Sequence, residues 1–205
     1  GLERAAAAPA VTSVGYPLSV NDTFQRRNLG RSLEASWPLV AALLEEAEAA
    51  GLSLVVYVSM GFGNPYGEPW VPEDTADAVA RLRDMGVDRI AVADTVGRAE
   101  AATVDAVLRA IPEPQSVGLH VHARPDRWRE LVEAGLAAGV RWFEGALSGV
   151  GGCPFAGDAL VGNLPSERVL PWLARRGLDP GVDLDALAAL AADAADIARR
   201  YAGEG

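Results

Sequence analysis

Lysine is absent from the 205 residues, and all 18 basic side chains are arginine. A Schiff-base mechanism needs a lysine amine, so this chain cannot supply one. The single cysteine, Cys153, rules out an internal disulfide and fits a reducing compartment, read here as the cytoplasm. No apolar run approaches the roughly 18 to 20 residues of a membrane span, and no signal peptide is legible. Basic charge is also scarce beside acidic charge, leaving a net −10. The basic face that a phosphate backbone requires is therefore missing, which excludes nucleic acid as a partner. Half of the residues are hydrophobic, enough for one sizeable core. Only two histidines occur, and they stand one position apart.

Strand-like and helix-like segments alternate along the chain. Residues 11–20 (in part), 54–60, 89–94, 117–122 and 142–147 are short, apolar and rich enough in β-branched or aromatic side chains to be strands. Between them, 33–50, 72–85, 99–110, 125–138 and 166–176 carry apolar residues at three- and four-residue spacing, the mark of amphipathic helices. Pro72 followed by Glu73 and Asp74 reads as a helix start, and Gly51, Gly86, Gly139 and Gly177 as left-handed caps. Residues 184–201 form a further helix, 202–205 a frayed tail, and 2–8 the end of another helix. Such alternation implies right-handed βαβ units and a parallel sheet. An open doubly wound sheet would show a Gly-rich phosphate turn after an early strand, and none is present. The expected fold is α/β, an N-terminally incomplete (β/α)8 barrel. A full barrel needs roughly 250 residues, so about three strands are unaccounted for. The start at Gly1 agrees with a processed protein or a fragment, in one barrel domain over 1–205.

In a barrel the strand C-termini and the loops after them build the site. Asp94-Thr95-Val96-Gly97 ends the third visible strand, and His120 and His122 end the fourth. On a strand the side chains repeat with period two, so both imidazoles leave one face and make half a coordination shell for a divalent metal. The fifth strand runs into Gly149-Val150-Gly151-Gly152-Cys153-Pro154, followed by Gly162-Asn163 and by Glu167 at a helix start. A carboxylate, two imidazoles, an amide and a thiol on successive rims suit metal-assisted chemistry on an oxygen-rich substrate. Plainer roles stay open for several of them. Asp94 can simply cap a turn, Cys153 can be an inert buried thiol, and Asn163 and Glu167 can serve only as cap and first-turn acid. The five tryptophans read as core and rim packing.

The G-V-G-G-C-P-F loop, the G-N-L-P-S-E segment, the H-V-H strand, the A-D-T-V-G strand end and Tyr57-Val58-Ser59, with Phe24 and Asn28 in register, resemble the 3-hydroxy-3-methylglutaryl-CoA lyase family. Its relatives are metal-dependent lyases and Claisen-type synthases built on a (β/α)8 barrel. The cysteine loop is the most specific element, because the synthases carry a Glu-Arg-Ala-Gly-Asn type sequence there, whereas H-x-H is common to both branches. The resemblance implies retro-Claisen cleavage of a 3-hydroxyacyl-CoA, HMG-CoA itself giving acetyl-CoA and acetoacetate. It implies Mg²⁺ or Mn²⁺ on His120, His122 and Asn163. Catalytic roles fall to Cys153, Asp94, His120 and Glu167, and substrate binding to Tyr57, Thr95, Asn28, Gly151 and Gly152.

The sequence departs from the family in three places. The opening strand with its enolate-stabilising arginine and metal-binding aspartate has no counterpart, so the chain as it stands is expected to be inactive or nearly so. Ala123-Arg124-Pro125-Asp126 replaces the usual Asp-Thr pair and glycine after H-x-H, and Asp22 stands for the family's glutamate. Partners are then an acyl-CoA substrate and a second copy in a homodimer, and the two unpaired strand edges of a broken barrel are an expected aggregation or association surface. A related aldolase or Claisen synthase on another acyl-CoA, or a non-catalytic barrel remnant, are the alternatives.

Overall fold

A computed structural model describes residues 1–124, 126–151 and 161–201. A short helix α1 (Leu2–Ala6) leads into strand β1 (Ser13–Ser19), followed by helices α2 (Asp22–Leu29) and α3 (Leu33–Ala49). Then β2 (Ser53–Ser59), α4 (Pro72–Asp84), β3 (Arg89–Asp94), α5 (Ala101–Ala110), β4 (Val117–Val121) and α6 (Trp128–Ala137) alternate. The chain continues through β5 (Trp142–Phe143), β6 (Gly145–Ala146), β7 (Leu164–Pro165), α7 (Ser166–Ala174) and α8 (Leu184–Tyr201).

Strands β1 to β5 form one parallel sheet in chain order, and β6 pairs in parallel with β7. A doubly wound sheet reverses its strand order at a switch point. This sheet does not, so the arc is part of a (β/α)8 barrel, as the sequence predicts. The β1–β2 ladder is in register over all seven residues, from Ser13 opposite Ser53 to Ser19 opposite Ser59. Strands β2 and β3 are buried on both faces over most of their length, which explains why they read as continuous apolar runs. Leu18, Val56, Ile90 and Leu119 from the strands, with Val40, Leu82, Leu108 and Val132 from the helices, form one core.

Several boundaries differ from expectation, each for a local reason. Helix α5 begins at Ala101 rather than 99, because the Asp94 carboxylate takes the Arg98 and Ala99 N–H groups and keeps that turn out of the helix. Helix α6 begins at Trp128, after a turn. The strand expected over 142–147 is split at Glu144, where pairing passes from β4 to β7. Helix α2 and strand β7 are not legible from periodicity. The former is short, and its start is marked only by Asn21, whose side chain accepts the Phe24 N–H at 2.8 Å. The latter has two residues, one of them proline. Gly51, Gly86, Gly139 and Gly177 all take the left-handed backbone expected of them. The tail at 202–205 lies outside the described residues.

Gly118, inside β4, lets the Trp142 indole of the neighbouring strand lie against the backbone, and any Cβ there would run into the ring. The Arg89 guanidinium covers that indole at 5.1 Å from its centroid. Gly118→Ala should therefore cost about 1–3 kcal/mol through overpacking. A urea titration checks this, and an unchanged midpoint would contradict so close a stacking.

Candidate active site

His120 lies in β4 and His122 one residue beyond its end. Their ring centroids are 5.2 Å apart, so the two imidazoles do share one side of the sheet. His120 Nδ1 is 2.7 Å from a carboxylate oxygen of Glu144, and the other oxygen accepts the Tyr57 hydroxyl at 3.0 Å. The Tyr57 ring meets His120 edge to face, with centroids 5.5 Å apart. Tyr57 is on β2 and Glu144 lies between β5 and β6, with β3 and β4 intervening in the sheet. Side chains on non-neighbouring strands can meet only across the concave interior of the arc. The three groups therefore point into the barrel, near the C-terminal rim where chemistry is built.

Burial pushes the Tyr57 phenol up to about 12, helped by the charge of Glu144. Burial also opposes ionisation of Glu144, but the hydrogen bonds from His120 and Tyr57 outweigh it and hold the carboxyl below its ordinary range. His122 is depressed, first by burial and then by the neighbouring His120, with carbonyls of Val161 and Gly162 pulling the other way. At neutral pH the group is an ionised carboxylate, a neutral phenol and a neutral His122.

The third expected metal donor, Asn163, immediately precedes β7 and forms an isolated β-bridge with His122. Its N–H bonds the Gly149 carbonyl at 3.0 Å, and its side-chain amide donates to the Val150 carbonyl at 2.8 Å. Gly151 is needed beside it, since a Cβ there would lie 2.6 Å from the Asn163 amide nitrogen and the backbone has φ +108°. Glu167, in the first turn of α7, accepts the Ser148 N–H at 2.9 Å and so braces the base of the glycine loop. Gly152 and Cys153 lie outside the described residues.

Asp94 is buried, with backbone bonds to Arg98 at 3.1 Å and Ala99 at 2.9 Å. Burial raises its pKa against the pull of those amides and of Gly97 and Val96. Its turn-capping role is thus realised, alongside any other. The Thr95 hydroxyl accepts the Met60 N–H at 2.8 Å, fixing Met60 in a left-handed conformation with φ 59°. Asn28 is half-buried in the last turn of α2 and makes no hydrogen bond to the other candidates among the described residues. Glu144 was missed by sequence reasoning. The available signal was a lone carboxylate interrupting an apolar strand, one strand over from H-x-H.

Whether this set suits a divalent cation can be judged from its donors. His122 Nδ1 is a buried nitrogen without a protein partner, a state that a metal or water ligand relieves. His120 has one ring nitrogen held by a carboxylate, the usual outer support of a metal-binding imidazole. Among the described residues no cluster of three or more His, Cys, Asp or Glu is formed; beside the histidine pair stands Asn163, bridged to His122 through the backbone. The residues fit an imidazole- and oxygen-ligated ion with open positions. A recess of about 240 Å³ adjoins His122, walled by Arg98, Arg124 and Leu131.

An in-order parallel arc with imidazole, amide and carboxylate groups gathered at its strand ends defines a (β/α)8-barrel protein with a rim site. The chain belongs to the HMGL-like family, whose model matches residues 1–193. It is 32% identical over 177 residues to the hydroxymethylglutaryl-CoA lyase of Pseudomonas mevalonii, covering 83% of this chain and 57% of that protein. With the (R)-citramalyl-CoA lyase of Chloroflexus aurantiacus the identity is 33% over 192 residues, or 92% and 60% of the two chains. The crystal structure of the HMG-CoA lyase from Brucella melitensis matches with a TM-score of 0.85 at 31% identity, over 95% of this chain and 70% of that one. The chain spans a little over half the length of the curated relatives it matches. No helix among the described residues is long and apolar enough to cross a membrane.

Because Tyr57 keeps its proton to about 12 in the fold, while an unfolded tyrosine releases it near 10, ionisation favours the unfolded chain across that window. Stability should fall as pH rises from 10 to 12, and less steeply in Tyr57→Phe. Denaturation midpoints at pH 9, 10.5 and 12 for both proteins check this.

Proposed function

We propose that the chain forms the greater part of the catalytic barrel of a hydroxymethylglutaryl-CoA lyase-like enzyme, one continuous domain over residues 1–205. The reaction is metal-dependent retro-Claisen cleavage of HMG-CoA to acetyl-CoA and acetoacetate. The observation that carries this reading is the convergence of His120, His122 and Asn163 at one strand end, in a chain of the HMGL-like family. Those three residues would hold Mg²⁺ or Mn²⁺, and the bound ion would supply Lewis acidity toward the C3 hydroxyl and its carboxylate.

The remaining work falls to the protein. Asp94 takes the C3 hydroxyl proton or positions that group; burial pushes its carboxyl upward, the direction a proton acceptor needs. The C2–C3 bond then breaks, its electron pair leaving as the enolate of acetyl-CoA while C3 becomes the ketone of acetoacetate. Cys153 gives its thiol proton to that enolate, a role suited to a group whose unperturbed pKa is about 8.5. Tyr57 has committed its hydroxyl hydrogen to Glu144, so toward substrate it offers an oxygen acceptor and a ring face. Thr95, Asn28, Gly151 and Gly152 complete the substrate-binding set, and Glu167 supports the cysteine loop through Ser148. The proposed setting is cytoplasmic, with an acyl-CoA as substrate and a homodimer as the assembly. A lyase acting on another acyl-CoA is the second reading, favoured by the similarity to a citramalyl-CoA lyase.

Acetoacetate release from HMG-CoA with Mn²⁺ tests this, using the chain alone and the chain extended at its N-terminus by the family's opening strands. The extended form should be active and the chain alone inactive or nearly so. His120→Ala and Cys153→Ala should each lower kcat by about 10²–10⁴. Turnover of citramalyl-CoA but not HMG-CoA would select the second reading. Retained folding with no turnover of either would mean a non-catalytic barrel.

A further inference from the structure

We propose that Glu144 is the positioning residue for His120: its carboxylate holds the imidazole through Nδ1 and so orients the ring, leaving Nε2 as the nitrogen it does not engage. An ionised carboxylate can only accept hydrogen bonds. The 2.7 Å contact between Glu144 Oε2 and His120 Nδ1 is therefore one in which Nδ1–H donates and the carboxylate accepts. The carboxylate is itself held from two sides. Its other oxygen takes the Tyr57 hydroxyl at 3.0 Å, and its backbone N–H bonds the Leu119 carbonyl at 3.0 Å, next to His120 in the chain. Glu144 cannot swing away without losing two partners, nor shift along the strand without breaking the β4 ladder. Phe143 packs its ring against Gly135 of α6, so strand alternation turns the next side chain, Glu144, to the opposite face, toward the histidine.

The same bond explains an asymmetry between the two imidazoles. His120 is braced by a carboxylate from outside its own strand, whereas His122 Nδ1 is buried without any protein partner. Glu144 thus supplies a carboxylate brace at one histidine only, while the other meets the backbone carbonyls of Val161 and Gly162.

Nitrogen-15 NMR of the ring nitrogens in the metal-free 205-residue chain reads this directly. The parent should show His120 as one tautomer, protonated at Nδ1. Glu144→Ala should release it to a mixture, and Glu144→Asp should restore it in part. Tyr57→Phe removes only the second donor to the carboxylate and should leave the tautomer fixed. Circular dichroism confirms folding of each variant, and Glu144→Leu, which also lacks an acceptor, replaces Glu144→Ala should the latter unfold. In its metal arm the proposal rests on the preceding functional reading: Mn²⁺ affinity should weaken about ten- to a hundredfold in Glu144→Ala. His120 protonated at Nε2 in the parent, or a tautomer and Mn²⁺ affinity unmoved by loss of the carboxylate, would overturn the proposal. Failure of Mn²⁺ to bind the parent would sink the metal reading alone, while a fixed tautomer lost in Glu144→Ala would still uphold the role of Glu144.

Discussion

A parallel ladder in chain order is the constraint from which the site follows. Each strand must be re-entered from the same end, so each is followed by a crossover, and every strand finishes on one rim. Residues as distant in sequence as Tyr57, Asp94, His120 and Glu144 are brought to that rim by backbone pairing alone. Curvature then decides which of them meet. Tyr57, His120 and Glu144 face the concave side and touch across it, although β3 separates β2 from β4 in the sheet.

Polar groups gathered at that rim lose water, and each solves the problem differently. Asp94 is satisfied by the backbone of its own loop, which makes it rigid and pins the start of α5. Glu144 recruits a phenol and an imidazole from two other strands, so its charge is held by side chains whose orientation it sets in turn. His122 has no such solution at Nδ1. The site is therefore closed by the protein on one flank and left incomplete on the other, at the histidine nearest Asn163 and the small recess.

The architecture was legible because its signals are long and repeated. Helices of ten or more residues with an apolar stripe, followed by glycine at the left-handed cap, could hardly be read otherwise. The histidine pair was legible because a period of two leaves no choice of face. Elements without periodicity escaped: α2 has a cap and little else, and β7 is defined by its pairing with β6 rather than by its two residues. Glu144 escaped for a related reason. Its meaning lies in contacts 24 and 87 positions away, with His120 and Tyr57, which no local pattern reports. Asp94 and Thr95 stand at the end of β3, where much of their bonding capacity is spent holding loop backbone.

Ser148 ties together three distant parts of the chain. It sits in a left-handed conformation, φ 56°, with its N–H on Glu167 and its hydroxyl on the Ala191 carbonyl of α8 at 2.8 Å. A non-glycine residue in that conformation persists only while its surroundings hold it there. The last helix is therefore a clasp rather than a trailing segment. Fraying of α8 as far as Ala191 would let Ser148 relax and slacken the base of the glycine loop. Rim and C-terminal helix thus belong to one cooperative unit of local unfolding, and heat or trimming at the far end of the chain would be felt beside the histidines.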